Sequence, residues 1–314
     1  MKYRTLGGTG LQVSALSFGA SSLGSVFRET DESESIRTVE EAVDSGINLI
    51  DVSPYYGLTK AETVLGKAIA SIPRDRFLLS TKAGRYGDRE FDFSERRILQ
   101  SVEESLARLQ TDYVDILFLH DIEFVPFDEV AEGAFRALET LKQSGKIRFG
   151  GVSGLPLTVF EKALAHTSLD AVLSYCHYSL NDTSLLSLLP LLEEWGVGLV
   201  NASPLSMGLL GHRPVAEWHP ASGEIKRVCR EAAAYCERQG ADLAKLAVQF
   251  ATANERIPTT LVSTANPEHI RRNVQWTEEP MDESLLKEVL RILEPIRNQT
   301  WVSGLPEYNP ELPS

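Results

Sequence analysis

Short apolar runs of strand length alternate with longer amphipathic segments along almost the whole chain, and eight such runs can be counted. They occupy residues 15–18, 47–51, 77–81, 114–119, 147–152, 171–175, 197–202 and 259–262. Between them, segments such as 35–45, 94–109, 129–144 and 185–194 carry apolar residues at helical spacing and are too long for strands. Gly46, Gly145 and Gly196 stand just before three of the runs, where a residue that accepts a positive φ can end a helix. The order strand, loop, helix, turn, strand predicts parallel strands joined by right-handed crossovers. Eight of them close on themselves, so the expected fold is α/β, a (β/α)8 TIM barrel. The competing open, doubly wound sheet calls for a G-x-G-x-x-G turn after its first strand, and the chain has none there.

Gly7, Gly8 and Gly10 mark an N-terminal β-hairpin over residues 1–14. The barrel is expected over 15–275, and 276–314 holds an extra C-terminal helix, around 282–291, and an irregular tail over 306–314. Without a linker or an internal repeat, residues 1–314 are expected to form a single domain.

Lys and Arg number 31 against 44 Asp and Glu, a net charge of −13. Such a surface repels phosphate backbones and anionic lipid, so the expected partner is a small molecule, with no nucleic acid and no membrane. Cys176, Cys229 and Cys236 lack zinc-ligand spacing, and neither a disulfide framework nor a metal site is expected. The N-terminus has no unbroken apolar signal core, and no run approaches the roughly 20 apolar residues of a membrane span. A reduced, cytoplasmic protein is expected.

In a barrel of this kind, chemistry collects where strands end and the following loops begin. Asp51 ends the second run, the third leads into Lys82, and His120 and Asp121 follow the fourth; the fifth reaches Ser153, the sixth ends in Ser174 and Tyr175, and the seventh reaches Ser203. Tyr56 stands on the loop after Asp51. An aspartate can keep a lysine charged, and a charged lysine beside a phenol favours phenolate, which lowers its pKa. Such a tyrosine can exchange a proton with an alcohol or carbonyl oxygen that a neighbouring histidine orients. Hydride transfer to or from nicotinamide asks this of a protein, since the cofactor supplies the redox chemistry.

At these residues the chain resembles the aldo-keto reductase family. Its motif of aspartate, five-residue step, tyrosine and glycine stands as DVSPYYG at 51–57, continued by AETVLGKAI from Ala61. Further matches are RTLGGTGLQVSALSFG at 4–19, STKAGR at 80–85, YVDILFLHD at 113–121, GVSG at 151–154 and ASPLSMGLL at 202–210. The resemblance implies an NAD(P)-binding barrel with Tyr56 as general acid/base, Lys82 tuning it, Asp51 paired with Lys82, and His120 orienting the substrate oxygen. Tyr55 is the rival phenol, but the family's tyrosine immediately precedes the glycine, which selects Tyr56.

The resemblance also places the cofactor. Ser153 is expected at the nicotinamide amide, although the family's next asparagine is Gly154 here; Tyr175 replaces a glutamine, and Ala202 an aromatic residue that stacks on the ring. Tyr175 is expected to restore that stacking surface. Ser203, Leu205 and Gly208 belong to the loop along the dinucleotide, and Ser263, Thr264, His269 and Asn273 to the adenosine end. NADPH-preferring members commonly carry a lysine and an arginine at the positions of Ser263 and His269. A 2′-phosphate demands such partners, so NAD is the expected cofactor unless Arg271 or Arg272 supplies the charge.

The stretches GASSLGSVF at 19–27, FDFS at 91–94, HDIEF at 120–124, SYCHYSLND at 174–182 and EWHPAS at 217–222 are similar to members that oxidise sugars. They imply oxidation of the anomeric C1 hydroxyl of an aldose, L-galactose before L-fucose, with Arg85, Asp121, Glu123 and His177 as candidate contacts to its other hydroxyls. Trp218 and His219 are candidate lid residues. An NADPH-dependent aldehyde or ketone reductase, and a nucleotide-sensing binding subunit, are the alternatives; the four catalytic residue types speak against the second.

Overall fold

The computed structural model describes residues 1–26, 28–305 and 307–308. Of the tail expected over 306–314, only Glu307 and Tyr308 fall among them; Phe27, the last residue of one sugar-type loop stretch, also lies outside the described residues. Strands β1 (Tyr3–Thr5) and β2 (Gln12–Ser14) pair antiparallel around a 3-10 turn at Gly7–Thr9, which is the expected hairpin. Eight strands then close a parallel barrel: β3 (Leu16–Gly19), β4 (Leu49–Asp51), β5 (Leu78–Ala83), β6 (Val114–His120), β7 (Ile147–Gly154), β8 (Ala171–Tyr175), β9 (Gly198–Ala202) and β10 (Thr259–Ser263), with β10 back against β3.

The outer layer starts with α1 (Glu32–Asp44), α2 (Lys60–Ile69) and α3 (Glu95–Leu109). A three-residue α4 (Phe127–Glu129), a π turn (Val130–Ala134) and α5 (Phe135–Gln143) follow as one continuous helical stretch. Then come α6 (Leu157–His166), α7 (Leu189–Trp195), α8 (Gly223–Arg238), α9 (Leu243–Ala253), α10 (Pro267–Glu278) and α11 (Glu283–Leu293). Side-chain caps start several of these helices: Asp31 accepts from Glu34 N–H at 2.8 Å and Asp282 from Leu285 N–H at 2.9 Å.

Every expected run overlaps a barrel strand, but the ends move. Strand β4 begins two positions later than expected, at Leu49: Ile47 N–H closes back on Ala42 C=O at 3.0 Å and Asn48 N–H on Ser14 Oγ at 3.1 Å, while the Asn48 side chain ties to the hairpin through Ser14 N–H and Gln12 C=O at 2.7 Å each. Strands β5 and β7 run further than their apolar stretches, so Lys82 and Ser153 lie inside them. The expected helix over 185–194 opens as a 3-10 turn at Ser184–Ser187 and becomes α-helical at Leu189.

Strand alternation decides what fills the barrel. Leu49, Ile116, Phe118, Leu173, Val200 and Leu261 face inward and meet Leu6, Leu11 and Val13 of the hairpin, which seal the N-terminal end. The next inward positions along the same strands are polar: Asp51 after Leu49, Lys82 after Ser80, His120 after Phe118, Ser263 after Leu261. Outward positions such as Ile50, Leu79, Leu117, Val152 and Val172 pack under the helices in the main core. A second core joins α8, α9 and α11 through Ile225, Cys229, Leu246, Leu286 and Val289, so α11 is anchored on α8, the first of the two α-helices between β9 and β10. No helix among the described residues is long and apolar enough to cross a membrane.

Candidate active site

Asp51, Lys82 and His120 are inward residues at or near the C-terminal ends of three adjacent strands, and each is at least 95% buried. The Lys82 ammonium is ion-paired with Asp51 Oδ2 and donates to Val52 C=O at 3.0 Å; Ser80 Oγ holds Asp51 Oδ1 at 2.8 Å. Lys82 Nζ lies 4.9 Å from the centre of the Tyr56 ring, and the His120 ring stands edge-on to it at 5.8 Å and 86°. The four residues selected in the sequence are therefore brought together at one barrel mouth.

Tyr56 is aimed by its backbone. Gly57, at φ 63°, packs against Gly24 so closely that a Cβ there would lie 2.1 Å from Gly24 O. A Cβ on Gly24 would in turn lie 2.6 Å from Tyr56 O. Only two facing glycines permit this approach of the β3 and β4 loops. Tyr55 points elsewhere: its hydroxyl donates to Asp88 at 2.9 Å, and burial pushes its pKa up to about 12.

Burial opposes the charge on Lys82, but Asp51 and Tyr56 outweigh it and hold the ammonium above its usual range. Burial also raises the Tyr56 phenol, and Lys82 offsets only part of that rise. The sequence led to the opposite direction for Tyr56; the reason is burial first of all, to which the carboxylates of Asp51 and Asp121 add against the pull of Lys82. Burial, Lys82 and Arg85 keep His120 neutral, well below the ordinary histidine value of 6.5.

Three of the four candidate substrate contacts form a chain beside the tetrad. Arg85 is ion-paired with Asp121, and its guanidinium lies over the Tyr55 ring at 3.9 Å, with Phe91 and Phe124 at 5.4 and 5.2 Å. Burial raises the Asp121 carboxyl, against the pull of Arg85. Glu123, raised to about 8 by burial and by Asp121, accepts Leu155 N–H at 3.1 Å and the Ser303 hydroxyl at 2.8 Å. His177 stands apart from this chain. Its Nδ1 meets Ser184 at 2.9 Å and Asp182 at 3.2 Å, and its ring borders a cavity of about 150 Å³ lined by Leu155, Pro156, Thr300 and Trp301. Trp301 packs edge-on against His219 at 4.9 Å, which stacks with Trp218, so the C-terminal segment and the lid candidates meet on the rim.

The remaining strand ends carry small residues suited to a dinucleotide. Ser153 pairs with His120 across β6 and β7, and Tyr175 is the register partner of Ala202 across β8 and β9. Beyond Ala202 the backbone is left-handed at Ser203, Ser206, Met207 and Gly208 (φ 58, 46, 56 and 104°), and the tight turn closes through Ser206 N–H on Ser203 C=O at 2.8 Å and Gly208 N–H on Leu205 C=O at 2.9 Å. Ser263 Oγ is bonded by Ser21 Oγ, Ser22 N–H and Ser22 Oγ at 2.9, 3.0 and 2.7 Å. At the start of α10, capped by Asn266, Thr264 meets His269 at 3.2 Å; burial and the charges of Arg272, Arg213 and Arg28 keep that ring below its usual pKa. Asn273 is buried on the same helix. Arg271 is committed to Glu41 and Glu268. Partly exposed small residues, a helix N-terminus and nearby arginines fit the phosphates and adenosine of a nicotinamide dinucleotide.

Sequence reasoning missed Ser53, whose Oγ lies 3.0 Å from His120 Nδ1, and Ser303, which reaches Glu123 from 180 positions away. Ser53 stands within DVSPYYG, but only the fold shows its partner. The three cysteines are buried and unpaired.

The aldo/keto reductase family model matches residues 15–294. The chain is 47% identical to L-galactose dehydrogenase of Arabidopsis thaliana over 97% of its own length and 98% of that protein's. It is 40% identical to D-arabinose 1-dehydrogenase of Saccharomyces cerevisiae over 76% of this chain and 75% of that one. Among solved structures, the holo form of aldo-keto reductase AKR11C1 from Bacillus halodurans superposes with a TM-score of 0.78 at 29% identity, covering 98% of this chain and 99% of that chain. With its closed barrel and this match along most of its length, the chain belongs to the aldo/keto reductase family, oxidoreductases that work with a nicotinamide cofactor.

Proposed function

We propose that the chain is an NAD-dependent aldose 1-dehydrogenase that oxidises the anomeric C1 hydroxyl of an aldose, L-galactose before L-fucose, to the lactone. The observation that carries this reading is a buried Asp51–Lys82 pair against Tyr56 and His120, with the polar chain Arg85–Asp121–Glu123 beside it to receive a polyhydroxylated substrate. The likeness to L-galactose dehydrogenase and D-arabinose 1-dehydrogenase supports the sugar.

His120 Nε2 receives the C1 oxygen. The Tyr56 phenolate takes the hydroxyl proton as the C1 hydride leaves, and Lys82 stabilises that phenolate. A bound oxidised nicotinamide supplies the hydride acceptor. In reduction Tyr56 gives the proton back. Ser153, Ser203, Leu205 and Gly208 would hold the nicotinamide and pyrophosphate, Tyr175 beside Ala202 would supply the stacking surface, and Ser263, Thr264, His269 and Asn273 the adenosine end.

NAD is favoured because the Ser263 hydroxyl is already enclosed by Ser21 and Ser22 and Arg271 is tied to Glu41 and Glu268. The arginines around His269 favour the second reading, an NADPH-dependent aldehyde reductase on the same site. One assay separates them: L-galactose, L-fucose, D-arabinose and simple aldehydes, each with both cofactors, followed by the absorbance of reduced nicotinamide. Aldose oxidation with NAD is expected. Absence of turnover with every sugar overturns the proposal, and a strong preference for NADP overturns the cofactor assignment. Three buried, unpaired thiols fit a reducing, cytoplasmic setting.

A further inference from the structure

We infer that Asp121 recognises the hydroxyl on the carbon next to the reacting one, making the site selective for 2-hydroxy aldoses; the inference rests on the aldose reading above. Asp121 follows His120 with a left-handed backbone, φ 54°, and its Oδ2 lies 3.7 Å from His120 Nε2, the nitrogen that receives the reacting oxygen. Oδ2 is ion-paired with Arg85 Nη1. Oδ1 is buried and has no hydrogen-bond partner among the described residues. Arg85, which holds Oδ2, is itself flanked by Tyr55, Phe91 and Phe124, the last two stacked at 4.9 Å. A buried carboxylate held at one oxygen and unpartnered at the other is destabilising until a donor reaches it.

In a pyranose two atoms flank C1. The ring oxygen carries no hydrogen and offers a carboxylate nothing, whereas the C2 hydroxyl is a donor. Neighbouring oxygens on a sugar ring stand roughly one hydrogen-bond length apart. With O1 on His120 Nε2, the C2 oxygen therefore falls within reach of a carboxylate whose other oxygen is 3.7 Å from that nitrogen. A substrate with a methylene in that place leaves Oδ1 buried without a donor, which is the arrangement that gives a polar site its discrimination.

The test compares kcat/KM for L-galactose with 2-deoxy-L-galactose, and for D-arabinose with 2-deoxy-D-ribose, in the wild type, D121A and D121N. The wild type is expected to disfavour each 2-deoxy sugar by about 100-fold or more, as charge-assisted recognition of a hydroxyl does. D121A should bring that ratio below about tenfold and D121N to an intermediate value, since its amide must turn its oxygen to Arg85 and present NH2 where Oδ1 was. Discrimination within about threefold in the wild type, or an unchanged ratio in both variants, overturns the inference. If D121A does not fold, the wild-type ratio and D121N decide. Turnover of aldoses without discrimination sinks this inference alone, whereas absence of turnover with every aldose sinks the aldose reading and this one with it.

Discussion

Ser53 Oγ lies 3.0 Å from Nδ1 of His120 while accepting the N–H of Tyr55 at 3.1 Å. With one lone pair so occupied, the serine can donate its own proton to Nδ1, which leaves the imidazole proton on Nε2, facing the substrate oxygen. In S53A the ring loses this preference. We expect kcat to fall about tenfold with KM and cofactor affinity little changed, and S53T to keep most of the activity. Steady-state kinetics of both variants checks this; an unchanged kcat in S53A would mean that another group fixes the tautomer.

Tyr56 is the only phenol set against Lys82 among the described residues, since Tyr55 is engaged with Asp88. Y56F removes the proton carrier and little else. Turnover should drop by about 1,000-fold, in line with the loss of general acid/base catalysis, while quenching of protein fluorescence still reports cofactor binding. Near-normal turnover in Y56F would contradict the assignment of the acid/base.

The shifts of Tyr56 and His120 fix the shape of the pH profile. Tyr56 is held above its ordinary value of 10.0, so phenolate is the minority form below that pH and kcat/KM for oxidation should climb through the alkaline range. Reduction needs the protonated phenol, which is the form present, and should stay level until strongly alkaline pH. His120 is held well below 6.5 and remains neutral, so no limb near that pH belongs to it. An acidic limb near pH 6.5 that vanishes in H120Q would show that the ring does titrate there.

The barrel was legible because parallel strands buried on both faces leave continuous apolar runs, and Ile116, Leu117, Phe118 and Leu119 are a clear case. Strand ends were not. Hydropathy stops at Lys82 and Ser153, but the ladder continues through them, with Lys82 opposite Phe118 and Ser153 opposite His120. The tetrad was readable from residue type and motif spacing. Ser53 was not, because a loop serine acquires meaning only from a histidine 67 positions on. The α8–α11 core was hidden for the same reason: each helix shows its apolar face, but sequence does not say which faces meet. The direction of the Tyr56 shift failed because a single lysine was weighed without the burial and the carboxylates around it.

Gly24 carries no catalytic group, but it sets where Tyr56 stands. Its φ is not left-handed, so alanine is allowed by the backbone there; the obstacle is space, with Tyr56 O at 2.6 Å and Gly57 N at 3.0 Å from the added carbon. Both neighbours are backbone and cannot rotate away, so the Tyr56 loop must shift by some tenths of an ångström to an ångström. Misplacement on that scale costs up to about 100-fold in rate when proton and hydride must move between fixed partners. G24A is therefore expected to lower kcat by about tenfold to 100-fold with a smaller loss of thermal stability. Gly223 supplies the control, since nothing lies within 4 Å of a Cβ there. Wild-type kcat in G24A, measured beside G223A, would show that the loop accommodates the methyl group without moving the phenol.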